Sequence, residues 1–389
     1  MATVSGFAKG MNNVAPVTNI PEGYTRDLLN VDALPTGELV LRTDAQQVQA
    51  IPNIRGGVPT ADGMIVVADN LWRFNATAGY ATDIGPAPAG DAIAGAELNG
   101  VVYLRVGYTM LKVVGHDVMP WASQEPAVAL TPTAGSLRAG RYRVAVTTVD
   151  ASGAEGGATP YEILVPEDGG LQLTWSGPGR LYVSAADGAT LYYQGDFTGG
   201  TTLTAVRDDT QRMTTENLTA PPLPDLVATH NGRLLLACNN VLWFTEPFSP
   251  HLANYVDGHI SYDAPVDVAI GGAAGVFVAA GRATYLVRGL GTEGLQQVTL
   301  ANIGGVHGSQ AQLRDGRVVW MTEAGAAFGL PDGTLDLPHL NAYAPALAQQ
   351  ASAGVVTSQG RQMYITNLKG AARPNTLGIT DSFDLEIDQ

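Results

Sequence analysis

Two short stretches contain residue types that could bind a nucleotide or a cation. GLGTEG places glycines at 289, 291 and 294, the G-x-G-x-x-G spacing of dinucleotide-binding loops, and DGTLD (332–336) has the start of a calcium loop. The first is followed by LQQVTL, which predicts a strand where a phosphate would need a helix N-terminus. The second lacks the distal acidic ligands. We expect a loop between sheets at the first stretch and a β-turn at the second.

The histidines and the single cysteine lack the spacing of a metal or catalytic site. HxH, HExxH, HxxxH and G-x-S-x-G patterns are absent from the sequence. Cys238 lies in the apolar run LLLACNNVLWF, which predicts a buried thiol. The sequence therefore predicts no enzyme, no cofactor and no metal, although a site gathered from distant segments would leave no spacing signal. The histidines stand at 116, 230, 251, 259, 307 and 339.

The overall charge limits the kind of partner that the protein can hold. Its 389 residues include 36 acidic and 21 basic side chains, a net charge of −15. This charge argues against a surface that grips nucleic-acid phosphates as the main function, whereas a wall along which DNA slides is compatible with it. The start of the chain has no basic segment before an apolar one, and Arg282 interrupts the longest apolar stretch. We expect no secretory signal, no membrane span and assembly in a cytoplasm.

A recurring sequence phrase indicates an all-β fold. A turn ending in glycine precedes a strand, a short turn and a second strand, as in DGMIVVADNLWRF from Asp62 and NGRLLLACNNVLWF from Asn231. Asn-Gly and Asp-Gly supply the positive φ angles of tight hairpin turns. The phrase opens at 62, 99, 231, 274, 315 and 359, with separations of 37, 132, 43, 41 and 44 residues. Four separations near 40 predict a β-propeller of about six four-stranded blades.

The long separation predicts a guest domain within the propeller. It equals one blade plus about 90 further residues, the size of one β-sandwich. Residues 124–218, with the strand GRYRVAVTTVD and its glycine-rich turn, resemble fibronectin type III and immunoglobulin-like modules. The expected organisation is 1–50 as an N-terminal arm and first strands, 51–123 as the first part of the propeller, 124–218 as the inserted β-sandwich, and 219–389 as the second part with a C-terminal strand.

The opening segment, residues 7–42, has a Phe-x-x-Gly-x-Asn-Asn motif followed by a second spaced motif, with positions Phe7, Gly10, Asn12, Asn13, Arg26, Asn30, Gly37, Leu39 and Arg42. This pattern resembles the start of tail proteins of double-stranded DNA bacteriophages, which include the propeller-bearing nozzle or hub proteins of short-tailed phages. It implies a homohexameric ring that extends the DNA channel below the head-to-tail adaptor, supports tail fibres or spikes, and resides in the virion. It also implies subunit contacts by Phe7, Gly10, Met11, Asn12, Asn13, Arg26, Asn30 and Arg42.

Three alternatives to this interpretation remain open. Residues 7–42 could form only a first strand and a turn. The propeller could instead bind or hydrolyse a cell-surface carbohydrate, with exposed tryptophans as stacking platforms. The chain could also belong to the tip of a long phage tail. The sequence predicts core positions for most of its tryptophans, which stand at 72, 121, 175, 243 and 320.

Overall fold

The protein, described here from a computed structural model, has an all-β, propeller-like fold. The structure describes residues 6–28, 31–33, 36–41, 47–167, 169–345, 348–358, 361–370 and 382–387. Within these ranges the helical segment is a single 3-10 turn, Val17–Asn19. None of the described helical structure is long and apolar enough to cross a membrane.

Six antiparallel sheets follow one another along the chain and form the body of the molecule. They are preceded by a two-stranded ribbon of β1 (Val31–Ala33) and β2 (Leu39–Leu41). The first sheet contains β3 (Gly56–Thr60), β4 (Gly63–Val67), β5 (Asn70–Asn75) and β6 (Tyr80–Pro86), and the second contains β7 (Ile93–Leu98), β8 (Val101–Val106), β9 (Thr109–Val114) and β10 (Asp117–Pro120).

The third sheet begins only after the insert. An insert sheet intervenes, with β11 (Ala129–Leu137), β12 (Gly140–Thr147), β13 (Tyr161–Val165), β14 (Gly169–Ser184) and β15 (Leu191–Leu203). The third sheet follows, with β16 (Leu218–Thr219), β17 (Leu226–His230), β18 (Arg233–Cys238), β19 (Val241–Glu246), β20 (Ser249–Asn254) and β21 (His259–Ser261).

The last three sheets have the same meander order as the first two. The fourth contains β22 (Val266–Gly272), β23 (Gly275–Ala280), β24 (Ala283–Arg288) and β25 (Gln296–Ala301). The fifth contains β26 (Ala311–Gln312), β27 (Val318–Thr322), β28 (Gly325–Gly329) and β29 (Leu335–Asp336), and the sixth contains β30 (Gln350–Ser358), β31 (Arg361–Lys369) and β32 (Ser382–Ile387).

The repeated phrase forms the second and third strands of the sheets. Its Asn-Gly turns have positive φ at both residues, 53° and 79° at Asn99–Gly100 and 47° and 74° at Asn231–Gly232, as a type I′ hairpin turn requires. The sixth phrase differs from the prediction: one nine-residue strand, Arg361–Lys369, occupies the segment where two were expected. The segment contains no internal glycine turn, and β31 stays paired with β30 along its whole length.

Adjacent sheets pack face to face in chain order. Alternate residues of each strand point to opposite faces, so the middle sheets bury apolar side chains on both. The third sheet, for example, packs Leu234 and Leu236 against Tyr103 of the second sheet, and packs Leu235 and Leu242 on its other face against the fourth. The first and second, fourth and fifth, and fifth and sixth sheets are joined by equivalent apolar clusters.

The first strands of successive sheets lie side by side. Contacts join β3 to β7, β7 to β17, β17 to β22, β22 to β26 and β26 to β30. A parallel bridge between His307 and Gln350, with the Ala351 amide donating to the His307 carbonyl at 2.7 Å, shows that the chain enters the fifth and sixth sheets in the same direction.

The insert is one curled five-stranded sheet with its own core. Strand β14 is 16 residues long and pairs with β11 through its first half and with β12 through its second. The concave side encloses a cluster that includes Leu171, Leu181 and the nearly buried Trp175. The Tyr142 hydroxyl donates to the main-chain oxygen of Arg138 at 2.8 Å and fixes the start of β12.

Candidate functional site

The N-terminal arm, residues 6–28, lies against the segment that links the fifth and sixth sheets. Asn13 makes a reciprocal pair with Ala344: its Nδ2 donates to the carbonyl oxygen at 2.8 Å, and its Oδ1 accepts from the amide at 2.9 Å. The Asn13 amide also donates to the Ala342 oxygen at 3.0 Å. Met11 packs against the core between the fifth and sixth sheets. The arm is therefore attached to the body through Met11 and through hydrogen bonds from Asn13 to main-chain groups, which resemble the bonds between paired strands.

The arm is also folded back on itself. Thr25 donates to the Gly10 oxygen at 2.8 Å and accepts from the Asn12 amide at 2.7 Å. The Asn12 side chain is 5% exposed and its Oδ1 accepts from the Ala15 amide, while Arg26 donates to the Ala15 oxygen at 2.6 Å. These contacts give the arm a defined shape.

The structure places six of the eight predicted subunit-contact residues in this arm. Phe7 is half-buried and its amide donates to the Gly37 oxygen at 3.3 Å, while Gly10 has the positive φ of 77° that a turn requires. Asn30 and Arg42 lie outside the described residues. The contacts of the other six are within one chain, so a role between subunits stays a prediction.

A buried ion pair joins the insert to the second sheet. Lys112 on β9 is 7% exposed at its side chain, and its Nζ lies 2.6 Å from Asp150 and 2.9 Å from Ser152 Oγ. Burial alone would raise the pKa of Asp150, but the hydrogen bonds from Lys112, Ser152 and the Ala154 amide outweigh it and lower the pKa to about 2. The charged carboxylate thus fixes the insert to the body.

A second junction centres on Glu155 of the insert. Its carboxylate accepts from Thr147 at 2.6 Å, from Tyr182 at 2.7 Å and from Arg180 at 2.8 Å. Burial and the adjacent carboxylate raise the pKa of Tyr182, which remains a hydrogen-bond donor. The Glu155 main-chain oxygen contacts His251 Nε2 of β20 at 3.0 Å, which extends this network into the third sheet.

Two close approaches lie beside the insert junction. The Trp121 side chain, just before the insert, is fully buried, and its Nε1 donates to the Pro250 oxygen of β20 at 2.9 Å, which joins the end of the second sheet to the third. A Cβ at Gly157 would lie 1.9 Å from the Leu218 oxygen, so the chain passes β16 too closely for any side chain. The insert is held at several separate points, which fixes its orientation on the body.

A cavity of about 850 Å³ lies where the first strands meet. The second to sixth sheets each contribute a polar lining residue at or just before their first strand: Asp91, Asp225, Asp267, His307 and Gln350. The first sheet contributes Gly57, Pro59 and Thr60. The walls are mixed, with aliphatic side chains such as Val227 and Ile270 between the polar ones. A volume of this size is within the range of small-molecule sites.

The remaining predicted chemical motifs have structural positions. GLGTEG forms the loop between β24 and β25, within the fourth sheet, so the expected loop between sheets was wrong; φ is 69° at both Gly289 and Gly291. DGTLD begins with the predicted turn, in which Asp332 accepts from Thr334. Cys238 is half-buried, and burial raises its pKa to about 12. Among the described residues, no group of three acidic, histidine or cysteine side chains could hold a metal.

Two histidines contact residues that motif spacing in the sequence did not connect to them, and the tryptophans differ in burial. His307 and Asp267 approach to 3.9 Å from different sheets, although 40 residues separate them in the chain. Trp320 is fully buried, whereas Trp243 stacks on His259 at 4.7 Å and contacts Tyr255, which is 67% exposed. The repeat of first strands about 40 residues apart was the sequence signal from which the proximity of Asp267 and His307 could have been predicted.

Comparisons with known proteins give distant similarities. No family model matches the chain, and no curated protein matches it. Similar solved structures include the extracellular domain of a one-component system from B. thetaiotaomicron, with 10% identity, a TM-score of 0.30, and coverage of 80% of this chain and 37% of that one. BBS1N, solved in complex with ARL6DN, has 9% identity, a TM-score of 0.32, and coverage of 83% and 86%.

A third similar structure is PorZ, a surface component of the type-IX secretion system of Porphyromonas gingivalis. It has 12% identity, a TM-score of 0.31, and coverage of 85% of this chain and 39% of that one. The chain thus spans well under half the length of two of these three proteins. At these TM-scores the similarities carry no conclusion about function.

Proposed function

We propose that this chain is a six-bladed β-propeller with a fibronectin III-like insert that acts as a structural ring protein of a short bacteriophage tail. In this role it is the nozzle or hub that extends the DNA channel below the adaptor and supports fibres or spikes. The observation that carries the proposal is the arm. Its motif residues form a folded segment that hydrogen-bonds to the body, and a neighbouring copy could offer the same partners for these bonds.

The central arrangement supports the propeller part of the proposal. Six sheets pack face to face in chain order, and first strands from all six line one cavity, as blades around an axis do. Such a body has few unpaired edges and resists deformation. This suits a component that must keep its shape while DNA passes through the assembly.

The start of β12 supports the fibronectin III-like assignment of the insert. The hydrogen bond from the Tyr142 hydroxyl to the Arg138 oxygen, four residues upstream, resembles the tyrosine corner of immunoglobulin-type sandwiches. The rigid junction through Lys112 and Glu155 would hold such a module at a constant angle on the outside of a ring. A fixed outer module is a suitable support for a fibre.

The arm supports the ring part of the proposal. Asn13 and Met11 contact the segment between the fifth and sixth sheets, and the same contacts can be made to a neighbouring copy without new chemistry. A head-to-tail exchange of arms around a rotation axis closes a ring. The net charge of −15 would keep the wall from gripping DNA phosphates.

The assembly state tests the proposal. Full-length protein and a variant lacking residues 1–28 are compared by multi-angle light scattering and negative-stain microscopy, with Glu162→Gln on the insert as a matched full-length control. We expect six-subunit rings for the full chain and the control, and monomers without the arm. A full chain that is monomeric at every concentration and absent from purified virions would overturn the proposal.

A carbohydrate-binding propeller is the second candidate, and one surface feature favours it. Tyr255 is 67% exposed and lies 5.3 Å from Trp243, which stacks on His259, so the three rings form an aromatic surface of the kind that sugars stack on. Binding of a monomeric chain to an oligosaccharide array, abolished by Tyr255→Ala, would favour this candidate over the ring.

A further inference from the structure

The last strand of the fourth sheet, β25, has an open edge. It pairs with β24 on one side, and among the residues that the structure describes no strand pairs with its other side. Four consecutive residues of β25, Gln296 to Thr299, are exposed, and Val298 is 48% exposed. A strand edge of this kind presents main-chain N–H and C=O groups to which another strand can be added.

The register of β25 fixes which of its main-chain groups point outward. The two-residue turn between β23 and β24 makes the residues that flank it a hydrogen-bonded pair. Because the bonded side alternates along β24, Leu286 forms its main-chain hydrogen bonds with Val298 of β25. The N–H and C=O groups of Gln297 and Thr299 therefore point away from the sheet.

The edge of β25 lacks the features that close the last strands of neighbouring sheets. In the first sheet, β6 contains Asp83 and ends at Pro86, and the Gln49 side chain exchanges hydrogen bonds with the main chain of Ala81. In the second sheet, β10 begins with an aspartate and ends with a proline. The sequence of β25, QQVTLA, has no charged residue and no proline, and its one bulge lies near its end. Charged residues and prolines on an edge oppose the addition of a strand, so this edge remains available.

The ribbon of β1 and β2 has an open edge of its own. Within the described residues it is a sheet of two strands, and Leu39, Val40 and Leu41 of β2 are 42%, 46% and 73% exposed. An isolated two-stranded ribbon is marginally stable in water and gains stability from a third strand. The Phe7 amide donates to the Gly37 oxygen in the ribbon turn at 3.3 Å, so the arm holds the ribbon in place.

The charge of the protein identifies a second copy as the partner of both strands. The net charge is −15, so two copies repel each other over most of their surfaces. Neither β2 nor β25 contains a charged residue, and a contact between them brings no like charges together. A basic partner would instead be attracted to acidic side chains elsewhere. Because the two strands are different parts of one chain, their contact is head-to-tail and repeats from copy to copy.

We propose that β2 of one copy pairs with the open edge of β25 of the next copy, so that the ribbon extends the fourth sheet across the subunit boundary. The outward main-chain groups of Gln297 and Thr299 hydrogen-bond to β2. Apolar side chains of β2 cover Val298, which lies opposite the buried Leu286 on one face of the sheet. This contact rests on the proposed ring, because it names the strands that join its subunits.

Substitutions on the β25 edge test the contact. Gln297→Pro removes an outward N–H and leaves the bonds to β24 in place, and Val298→Glu puts a charge on the edge. Val356→Glu is the matched control, because Val356 on β30 is 46% exposed. Light scattering should show at least a tenfold rise in the concentration for half-assembly for both edge variants and less than a twofold change for the control. Circular dichroism establishes that each variant is folded.

Crosslinking locates the contact without disrupting it. A chain with Val40→Cys and Val298→Cys, and with Cys238→Ser to remove the native thiol, is treated with a short bismaleimide. We expect a ladder of covalent multimers, because each copy then has one cysteine on each side of the contact. The control chain replaces the second cysteine with Thr82→Cys on the exposed face of β6, and it should give no ladder.

The outcomes separate this contact from the proposed ring. Wild-type affinity of both folded edge variants would overturn the contact and leave the ring standing, and so would assembled double-cysteine protein without a ladder or with a ladder equal to that of the control. A ladder without closed rings in negative-stain images would support the contact and overturn the ring. A full chain that is monomeric at every concentration and gives no ladder would overturn both.

Discussion

The buried ion pair between Lys112 and Asp150 should be a major contributor to the stability of the insert junction. Replacing Lys112 with methionine keeps the aliphatic volume but leaves the carboxylate, 17% exposed, without its cation. Lys112, Ser152 and the Ala154 amide together lower the pKa of Asp150 from 3.8 to about 2, which at about 1.4 kcal/mol per pKa unit corresponds to about 2–3 kcal/mol. Removing one partner of a buried pair costs about 3–5 kcal/mol in other proteins. We expect Lys112→Met to destabilise the protein by about 2–4 kcal/mol.

Urea unfolding followed by tryptophan fluorescence measures this loss. The matched control is Arg141→Met, because Arg141 lies 3.9 Å from Glu162 and the two side chains are 75% and 61% exposed. Such an exposed pair contributes less than about 1 kcal/mol. The double variant Lys112→Met with Asp150→Asn should recover part of the loss, since it removes the uncompensated charge.

The pH dependence of the free energy of unfolding tests the same prediction independently. The pKa of folded Asp150 is below its ordinary value of 3.8, so the stabilisation is complete above about pH 4 and is lost as the pH falls toward 2. The difference between wild type and Lys112→Met should therefore shrink across that interval. A difference below about 0.5 kcal/mol at pH 7, or one that grows on acidification, would refute the reasoning.

Three further changes test the insert and the arm. Gly157→Ala should cost more than about 2 kcal/mol, because its Cβ would lie 1.9 Å from a carbonyl oxygen; thermal unfolding checks this against Gly354→Ala, whose Cβ meets nothing within 4 Å. Tyr142→Phe should lower the free energy of unfolding by about 1 kcal/mol through loss of its 2.8 Å hydrogen bond, and no change in urea midpoint would contradict this. Asn13→Ala should speed proteolytic cleavage of the arm several-fold by removing both side-chain bonds to one residue; cleavage at the wild-type rate would show that other contacts hold the arm.

Local turn chemistry made much of the fold predictable from the sequence. Asn-Gly at 99–100 and 231–232 requires positive φ at both positions, and that requirement places a hairpin whatever the surroundings. The prediction failed at the sixth phrase, where Thr366 and Asn367 carry no such requirement and continue in β31. Strand pairing along β30 decided that segment, and pairing is a property of the partner as much as of the segment itself.

The insert junction could not be predicted because its partners are chosen by tertiary contacts. Lys112 and Asp150 are 38 residues apart, and Glu155 and His251 are 96 apart. Aspartate occurs throughout the sequence, and nothing in the residues around Lys112, one of its three lysines, marks the pair that becomes buried. Only the packing of the insert against β9 removes this lysine from water and makes its charge consequential.

The cavity residues illustrate a different limit. Asp267 and His307 come from segments 40 residues apart, a spacing that the sequence repeat contains, but the repeat does not tell which residues of each segment line the cavity. The two functional interpretations use different parts of the molecule: a ring interface uses the arm, whereas carbohydrate binding uses the aromatic surface of Trp243, Tyr255 and His259. Tyr255→Ala should therefore leave assembly unchanged while it weakens carbohydrate binding, and deletion of the arm should do the reverse. If the arm deletion abolished carbohydrate binding, the arm would have to shape the aromatic surface, and the separation of the two sites within this fold would be wrong.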